Sequence, residues 1–297
     1  MRTRITRAFL TAAAAGATIA TVGFTAAAPA GAAAARPAQN SMPVISTVSY
    51  GGYEASGRDF RYVTSLIRVP DMAENGLYPQ AYVQLSNGSV ASGDTYTRAG
   101  IETCIVATFV NPNFTCPNGV QWVGFIEAFH NSILGPFFTH FVPLNLVQGD
   151  GVWFSIYFDQ PGNELHYVLT PPTVESCSTG PQNQCYYDHE AFGPVYDHAA
   201  GLADYTNATG TPVPLPIWAE PFRLTQFLGG ALTTYNGQKG SWVGPWTTSM
   251  VEATSNGLPF PQGSVRLSPS TLWSDGIASN GAVRNSDAFG LWRRVDA

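Results

Sequence analysis

Three glutamates stand inside runs that read as strands, and these are the residues with which this sequence could move protons. Glu102 follows Ala99-Gly100-Ile101, Glu127 lies in Gly124-Phe125-Ile126-Glu127-Ala128-Phe129, and Glu220 lies in Ile217-Trp218-Ala219-Glu220-Pro221-Phe222. A carboxylate flanked by apolar and aromatic side chains has its charged form disfavoured, so its pKa moves upward. That environment suits a general acid or base. Taken singly, each also reads as an edge-strand glutamate facing water. The group Asp188-His189-Glu190 with Asp197-His198 contains metal-ligand types, but reads as solvated loop polarity. No nucleophile elbow, H-E-x-x-H, Walker loop or dinucleotide glycine pattern occurs. A Ser/His/Asp triad has no local mark either. The pattern calls for no metal and no cofactor.

The elements that must hold these residues are strands. Alternation runs through residues 62–70 and again through Gln80-Ala81-Tyr82-Val83-Gln84-Leu85, before the turn Ser86-Asn87-Gly88. The run 151–158 is β-branched and aromatic; Asp159-Gln160-Pro161-Gly162-Asn163 turns the chain and 164–169 returns as a hairpin. Its alternation puts Trp153, Ser155 and Tyr157 on one face and Val152, Phe154, Ile156 and Phe158 on the other. Further strands are expected at 222–227, 231–235, 249–254 and 288–293, and no helical period of useful length appears. Many short strands punctuated by Gly, Pro and Asn imply an all-β fold, an antiparallel sandwich of two sheets. Residues 171–216, with Pro171-Pro172 and Thr211-Pro212-Val213-Pro214, read as a long loop insertion.

Charge and cysteine usage narrow the setting. Only 11% of the 297 residues are charged, Lys239 is the single lysine, and the formal net charge is −6. A nucleic-acid partner would need clustered Lys and Arg, so that class is excluded. Arg2, Arg4 and Arg7 precede an Ala-rich apolar stretch, and Ala28-Pro29-Ala30-Gly31-Ala32 offers cleavage after Ala30 or Ala32. Residues 1–32 are therefore expected to be a signal peptide, with a bacterial look. Cleavage takes the charge from −6 to −9 by removing three arginines. No other apolar run is long enough to span a bilayer. The expected product is a secreted monomer with a flexible tail at 33–46 and a sandwich domain at 47–297. In an oxidising compartment the sequential pairs Cys104–Cys116 and Cys177–Cys185 each bracket a turn-rich loop and are the expected disulfides. Neither pair has zinc-site spacing.

The order of short segments resembles the eqolisins, the glutamic peptidases of the concanavalin A-like β-sandwich class. Ser49-Tyr50-Gly51-Gly52-Tyr53 stands where that family has an Asn-Trp-Ala-Gly-Tyr-like strand. Ala81-Tyr82-Val83-Gln84-Leu85 is similar to its Ala-Trp-Val-Gly-Ile, and Arg98-Ala99-Gly100-Ile101-Glu102-Thr103-Cys104 to its Gln-Thr-Gly-Val-Asp-Phe-Cys. Gly124-Phe125-Ile126-Glu127-Ala128-Phe129 is similar to its Ala-Trp-Tyr-Glu-Trp-Tyr, and Ala219-Glu220 to its Ala-Glu-Trp. The resemblance implies peptide-bond hydrolysis by a Gln/Glu pair, in which the Glu activates water and the Gln stabilises the oxyanion. Glu220 falls at the Glu position, and Arg98 replaces the Gln. Arginine has five donors and no acceptor, so it can stabilise an oxyanion but cannot accept a hydrogen bond from the attacking water. Losing one such transition-state group costs about 10²–10³ in rate.

The resemblance makes Glu220 and Arg98 the expected catalytic pair, facing one another from neighbouring strands of one concave face. It lines the cleft with Tyr82, Glu102, Trp122, Phe125 and Glu127. Along the strand, Tyr96 and Gly100 should share the face of Arg98, with Thr97 and Ala99 pointing into the core. Three functions stay open: a secreted glutamic endopeptidase with altered or lost activity, a degenerate sandwich binding protein or polysaccharide through the same cleft, and an exported structural or envelope-associated protein.

Overall fold

The computed structural model describes residues 42–70, 76–90, 95–117, 119–130, 138–172, 184–191, 195–207, 209, 211–213, 222–258, 262, 265–275 and 286–293. In chain order these form β1 Val44–Thr47, β2 Gly51–Ser56, β3 Phe60–Arg68, β4 Tyr78–Asn87, β5 Thr95–Thr103, α1 Cys104–Val110, β6 Trp122–His130, β7 Phe138–Leu144 and β8 Gly151–Asp159. There follow β9 Glu164–Thr170, β10 Cys185–Glu190, β11 His198–Thr206, β12 Phe222–Thr234, β13 Lys239–Gly240, β14 Thr247–Thr254, β15 Val265–Pro269 and β16 Phe289–Arg293.

Hydrogen bonding links the strands in the order β10-β9-β8-β3-β12-β16-β15-β14-β2-β11-β4-β5-β6-β7, with β13 beside β12 and β1 beside β14. The path turns over through β15, so β3 and β8 lie across from β4, β5 and β11. All pairings are antiparallel except β1 with β14. The result is an all-β sandwich. Its core, between the two layers, includes Phe154, Phe158, Tyr167, Trp122, Phe227, Trp242 and Phe289. Each such side chain removed from water contributes about 1.5–3 kcal/mol.

Sequence alternation becomes layer geometry most clearly in β8 and β9. Val152, Phe154, Ile156 and Phe158 are buried while Tyr157 is exposed. The turn closes through Asn163 N–H donating to the Gln160 carbonyl at 3.1 Å, with Asn163 at φ 53°, a region asparagine tolerates. In β5, Thr97 and Ala99 are fully buried, and the Thr97 hydroxyl lies 2.6 Å from the Tyr167 hydroxyl of the opposite layer.

Four expectations are corrected. The interval 171–216 is not one loop, for it contains β10 and the interior strand β11. Its Pro-rich punctuation masked the apolar run Ala199-Ala200-Gly201-Leu202-Ala203. The tail expected at 33–46 overlaps β1, which pairs in parallel with β14. The segment after Cys104 is a seven-residue helix, too short to show a period in sequence. The strands expected at 222–227 and 231–235 are one strand, β12, whose register shifts between Leu228 and Ala231. Gly229, at φ 58°, supplies the left-handed residue of that bulge. Residues 1–32 lie outside the described residues.

Candidate functional site

The outer face of β11, β4, β5, β6 and β7 carries a cleft of about 350 Å³. Pairing registers arrange its floor in rows. One row runs Glu54, Ala200, Gln84, Arg98, Glu127, Thr139 across β2, β11, β4, β5, β6 and β7. The next runs Leu202, Tyr82, Gly100, Phe125, Phe141. Beyond it Asp204 faces Gln80 on the neighbouring strand, and Glu102 faces Val123. Glycine is required at 100: a Cβ there would lie 2.2 Å from the Ala81 carbonyl oxygen and 2.4 Å from the Tyr82 Cβ. It lets β4 and β5 approach while the Tyr82 ring covers the middle of the floor.

At one end Arg98 Nη2 donates to Glu127 Oε2 at 3.0 Å, and the Tyr96 hydroxyl donates to Glu127 Oε1 at 2.7 Å. The rings of Tyr82, Tyr96 and Phe125 surround the guanidinium, their centroids 4.8, 5.4 and 5.4 Å from its carbon. Burial works most strongly against the Arg98 charge, but Glu127, Tyr96, Tyr82 and Asp204 together outweigh it and hold the guanidinium pKa well above its usual value. Both side chains are nearly enclosed, at 14% and 9% exposed.

The other end is acidic and uncompensated. Gln80 Nε2 donates to Glu102 Oε2, and burial pushes the Glu102 carboxyl up to about 8, with Arg98 opposing. Asp204 is fully buried and is pushed by that burial to about 7. Four oxygens here have no hydrogen-bond partner: Gln80 Oε1, Glu102 Oε1 and both carboxyl oxygens of Asp204. Tyr50, Val110 and Pro212 also line the cleft, Pro212 bridging Thr206 just past Asp204 on β11. Glu102 leads directly into α1, which the Cys104–Cys116 disulfide ties down.

Of the residues expected in the cleft, Tyr82, Arg98, Glu102, Phe125 and Glu127 all line it. Trp122 does not: it sits on the opposite face of β6 and is fully buried in the core. Period-two alternation from Phe125 and Glu127 already puts Trp122 on the other side. Glu220 lies outside the described residues, and the carboxylate that Arg98 meets is Glu127. Cys177 is outside them too; among those described no cysteine is free.

Two acids escaped the sequence reading. Asp204 sat in the apolar run of β11, the same signal that singled out Glu102 and Glu127. Glu54 is buried in β2, and its Oε2 accepts the Val90 N–H at 2.7 Å, fixing a residue of the cleft wall. His198 Nε2 lies 3.8 Å from Glu54 Oε1, and its Nδ1 lies 2.6 Å from Asp197 Oδ1. This Asp197-His198 pair is therefore structural framework beside the cleft, not loop polarity. Asp188, on edge strand β10, is exposed as expected. Among the described residues, no three His, Cys, Asp or Glu side chains are grouped to hold a metal.

Scytalido-glutamic peptidase, solved with a transition-state analogue inhibitor, aligns with 85% of this chain and 100% of its own at a TM-score of 0.51 and 11% identity. The two share a fold. SCP-B, an eqolisin-family peptidase solved with the tripeptide Ala-Ile-His, aligns over the same shares at a TM-score of 0.47 and 11% identity. No family model matches the sequence. No curated protein matches it either. The eqolisin-like β-sandwich expected from motif order is thus the observed architecture. No helix among the described residues is long and apolar enough to cross a membrane.

Proposed function

We propose that this chain is an exported, eqolisin-like protein that holds polypeptide segments in its cleft without hydrolysing them. The observation that carries this reading is the closed Arg98–Glu127 pair. Arg98 offers only donors; its Nη2 is held on Glu127 between three rings, while its Nε is buried without a partner. Both oxygens of Glu127 are already taken, by Arg98 and by Tyr96. Across β4 from Arg98, the next position on β11 is Ala200, which brings no carboxylate to that row. A general base for water needs a free carboxylate oxygen, and Glu127, the carboxylate lining this end of the cleft, already receives a donor on each oxygen. The polypeptide character rests on the shared fold with a peptidase and on the aromatic lining of Tyr50, Tyr82, Tyr96, Phe125 and Phe141. Export rests on the leader-like segment and fits the Cys104–Cys116 disulfide.

A second reading, a hydrolase with a relocated carboxamide–carboxyl pair, is favoured by Gln80 donating to Glu102 within the same cleft. Digestion of casein from acid to neutral pH separates the readings. The expected result is binding of a casein digest with no cleavage. Cleavage lost in Glu102→Gln would install the relocated pair. Cleavage lost in Glu220→Gln would restore the pair implied by motif order.

A further inference from the structure

We infer that the Gln80–Glu102–Asp204 end of the cleft is a subsite for a cationic side chain, the ammonium or guanidinium of a lysine or arginine in the bound polypeptide. The inference builds on the binding reading and names what that cleft selects. It rests on an inventory of donors and acceptors. Gln80 Oε1, Glu102 Oε1, Asp204 Oδ1 and Asp204 Oδ2 are buried acceptors without a partner. Buried acceptors of this kind cost free energy until a proton or a donor reaches them. Gln80 and Glu102 line the cleft directly, each only 3% exposed, so their lone oxygens lie at its floor, while Asp204 is fully buried beside Gln80 and does not itself line the cleft. The one cation lining the cleft among the described residues is Arg98, and it is committed to Glu127.

The molecule contains its own precedent. At the far end of the same floor, a cation sits on a carboxylate among aromatic rings, and that cation is part of the chain. At the near end Glu102, with Asp204 buried nearby, and the rings of Tyr50 and Tyr82 are present, but no cation of the described residues is bonded to them. A lysine or arginine side chain brings the donors this end lacks. Its apolar stem suits Val110 and Pro212 in the cleft lining, and its charge suits the ring faces.

Proton linkage sharpens the expectation. The groups facing Glu102 are Arg98 on its own strand, Gln80 and Tyr82 on β4, Glu127 on β6, Asp204 on β11 and Tyr50 ahead of β2. With its pKa raised to about 8, Glu102 is largely protonated at neutral pH, and a cation binds it by displacing that proton. Affinity for the cation then rises with pH, at most about tenfold per unit below the carboxyl pKa for one displaced proton. Lysine itself stays charged to roughly pH 10.

The test uses the full chain and three blocked peptides identical except for a central lysine, norleucine or glutamate, titrated calorimetrically, with n-butylamine as the bare side-chain probe. At about pH 8.5 the lysine peptide should bind at least about tenfold tighter than the norleucine peptide, the ratio shrinking toward unity near about pH 6. In buffers of different ionisation heat at neutral pH, the lysine peptide should release close to one proton and the norleucine peptide none. Glu102→Gln with Asp204→Asn should remove the preference, and the two wild-type measurements decide the matter if that variant does not fold. Equal binding of lysine and norleucine peptides overturns the inference and leaves the polypeptide reading standing. Binding of n-butylamine with no peptide binding does the reverse. Displacement of the lysine peptide by calcium chloride reassigns the acids to a metal ion and also overturns it. Binding of no probe overturns both.

Discussion

The two ends of one cleft solve the same electrostatic problem differently. At the Arg98 end a buried carboxylate meets a buried guanidinium, and every Glu127 oxygen has a donor. At the Asp204 end, carboxyls equally removed from water keep unpartnered oxygens and titrate near neutrality. Both ends stand on the same strands. The difference teaches that burial alone does not decide how an acid is partnered; a cation within hydrogen-bonding reach does. Opposite a charge the acid becomes a fixed structural tie, and without one it becomes a proton store that a ligand can displace.

Breaking the tie should have the largest effect. Arg98→Met leaves Glu127 buried without its cation, and should lower the unfolding free energy by about 3–5 kcal/mol in urea titration. Arg98→Met with Glu127→Leu should regain most of that loss. If the double variant is no more stable than the single one, the pair is not the source of the cost.

Opening the staple beside Glu102 comes next. Replacing Cys104 and Cys116 by serine frees the loop after β5 and should cost about 3 kcal/mol. Hydrogen exchange should quicken in α1 and around Glu102 but hardly change at Tyr96 and Arg98. Uniform quickening along β5 would show that the two ends are not independent.

Gly100→Ala acts on the shared middle. Its methyl collides with the Ala81 carbonyl and the Tyr82 backbone, so the cost should be about 1–3 kcal/mol. Displacement of Tyr82 should weaken peptide binding at both ends together, which chemical-shift changes of the ring would report.

Per unit of pH, the gentlest change is a stability trend. Between about pH 4 and pH 8 the folded chain keeps protons on Glu102 and Asp204 that the unfolded chain has released, because burial raises those carboxyls to about 8 and about 7. Stability should therefore rise as pH falls through that window, by at most about 1.4 kcal/mol per unit for each group. Asp197 works elsewhere: held below its usual value by the Gly88 N–H and His198 against partial burial, it matters only in stronger acid. Glu102→Gln with Asp204→Asn should flatten the slope in thermal melts at successive pH values. An unchanged slope would place the proton store at another site.

Much of the architecture was legible in the residue order. The β8–β9 hairpin follows from β-branched alternation and from turn chemistry ending in Asn163, both local properties. The two faces of β5 follow in the same way, since Thr97 and Ala99 must oppose Tyr96 and Arg98 at a period of two. The same rule, carried one strand further, separates Trp122 from Phe125 and Glu127, and attention to aromatic character alone missed it. β11 was harder to see. Its apolar run is short and sits between proline-rich segments, and its strand character comes from insertion between β2 and β4.

Alternation, turn chemistry and cysteine spacing determined strands, their buried faces and the Cys104–Cys116 staple, because each depends on residues close together in the chain. Which acid Arg98 meets was not determined that way. The strand order β4-β5-β6 places Glu127 against it, while β11 arrives from far along the sequence to set Asp204 beside Gln80. Such pairings depend on how the whole sheet buries its apolar face, a balance summed over strands that no local stretch encodes. The sequence alone named Glu102 and Glu127 but not Asp204; only the folded sheet decided which acid has a cation and which lacks one.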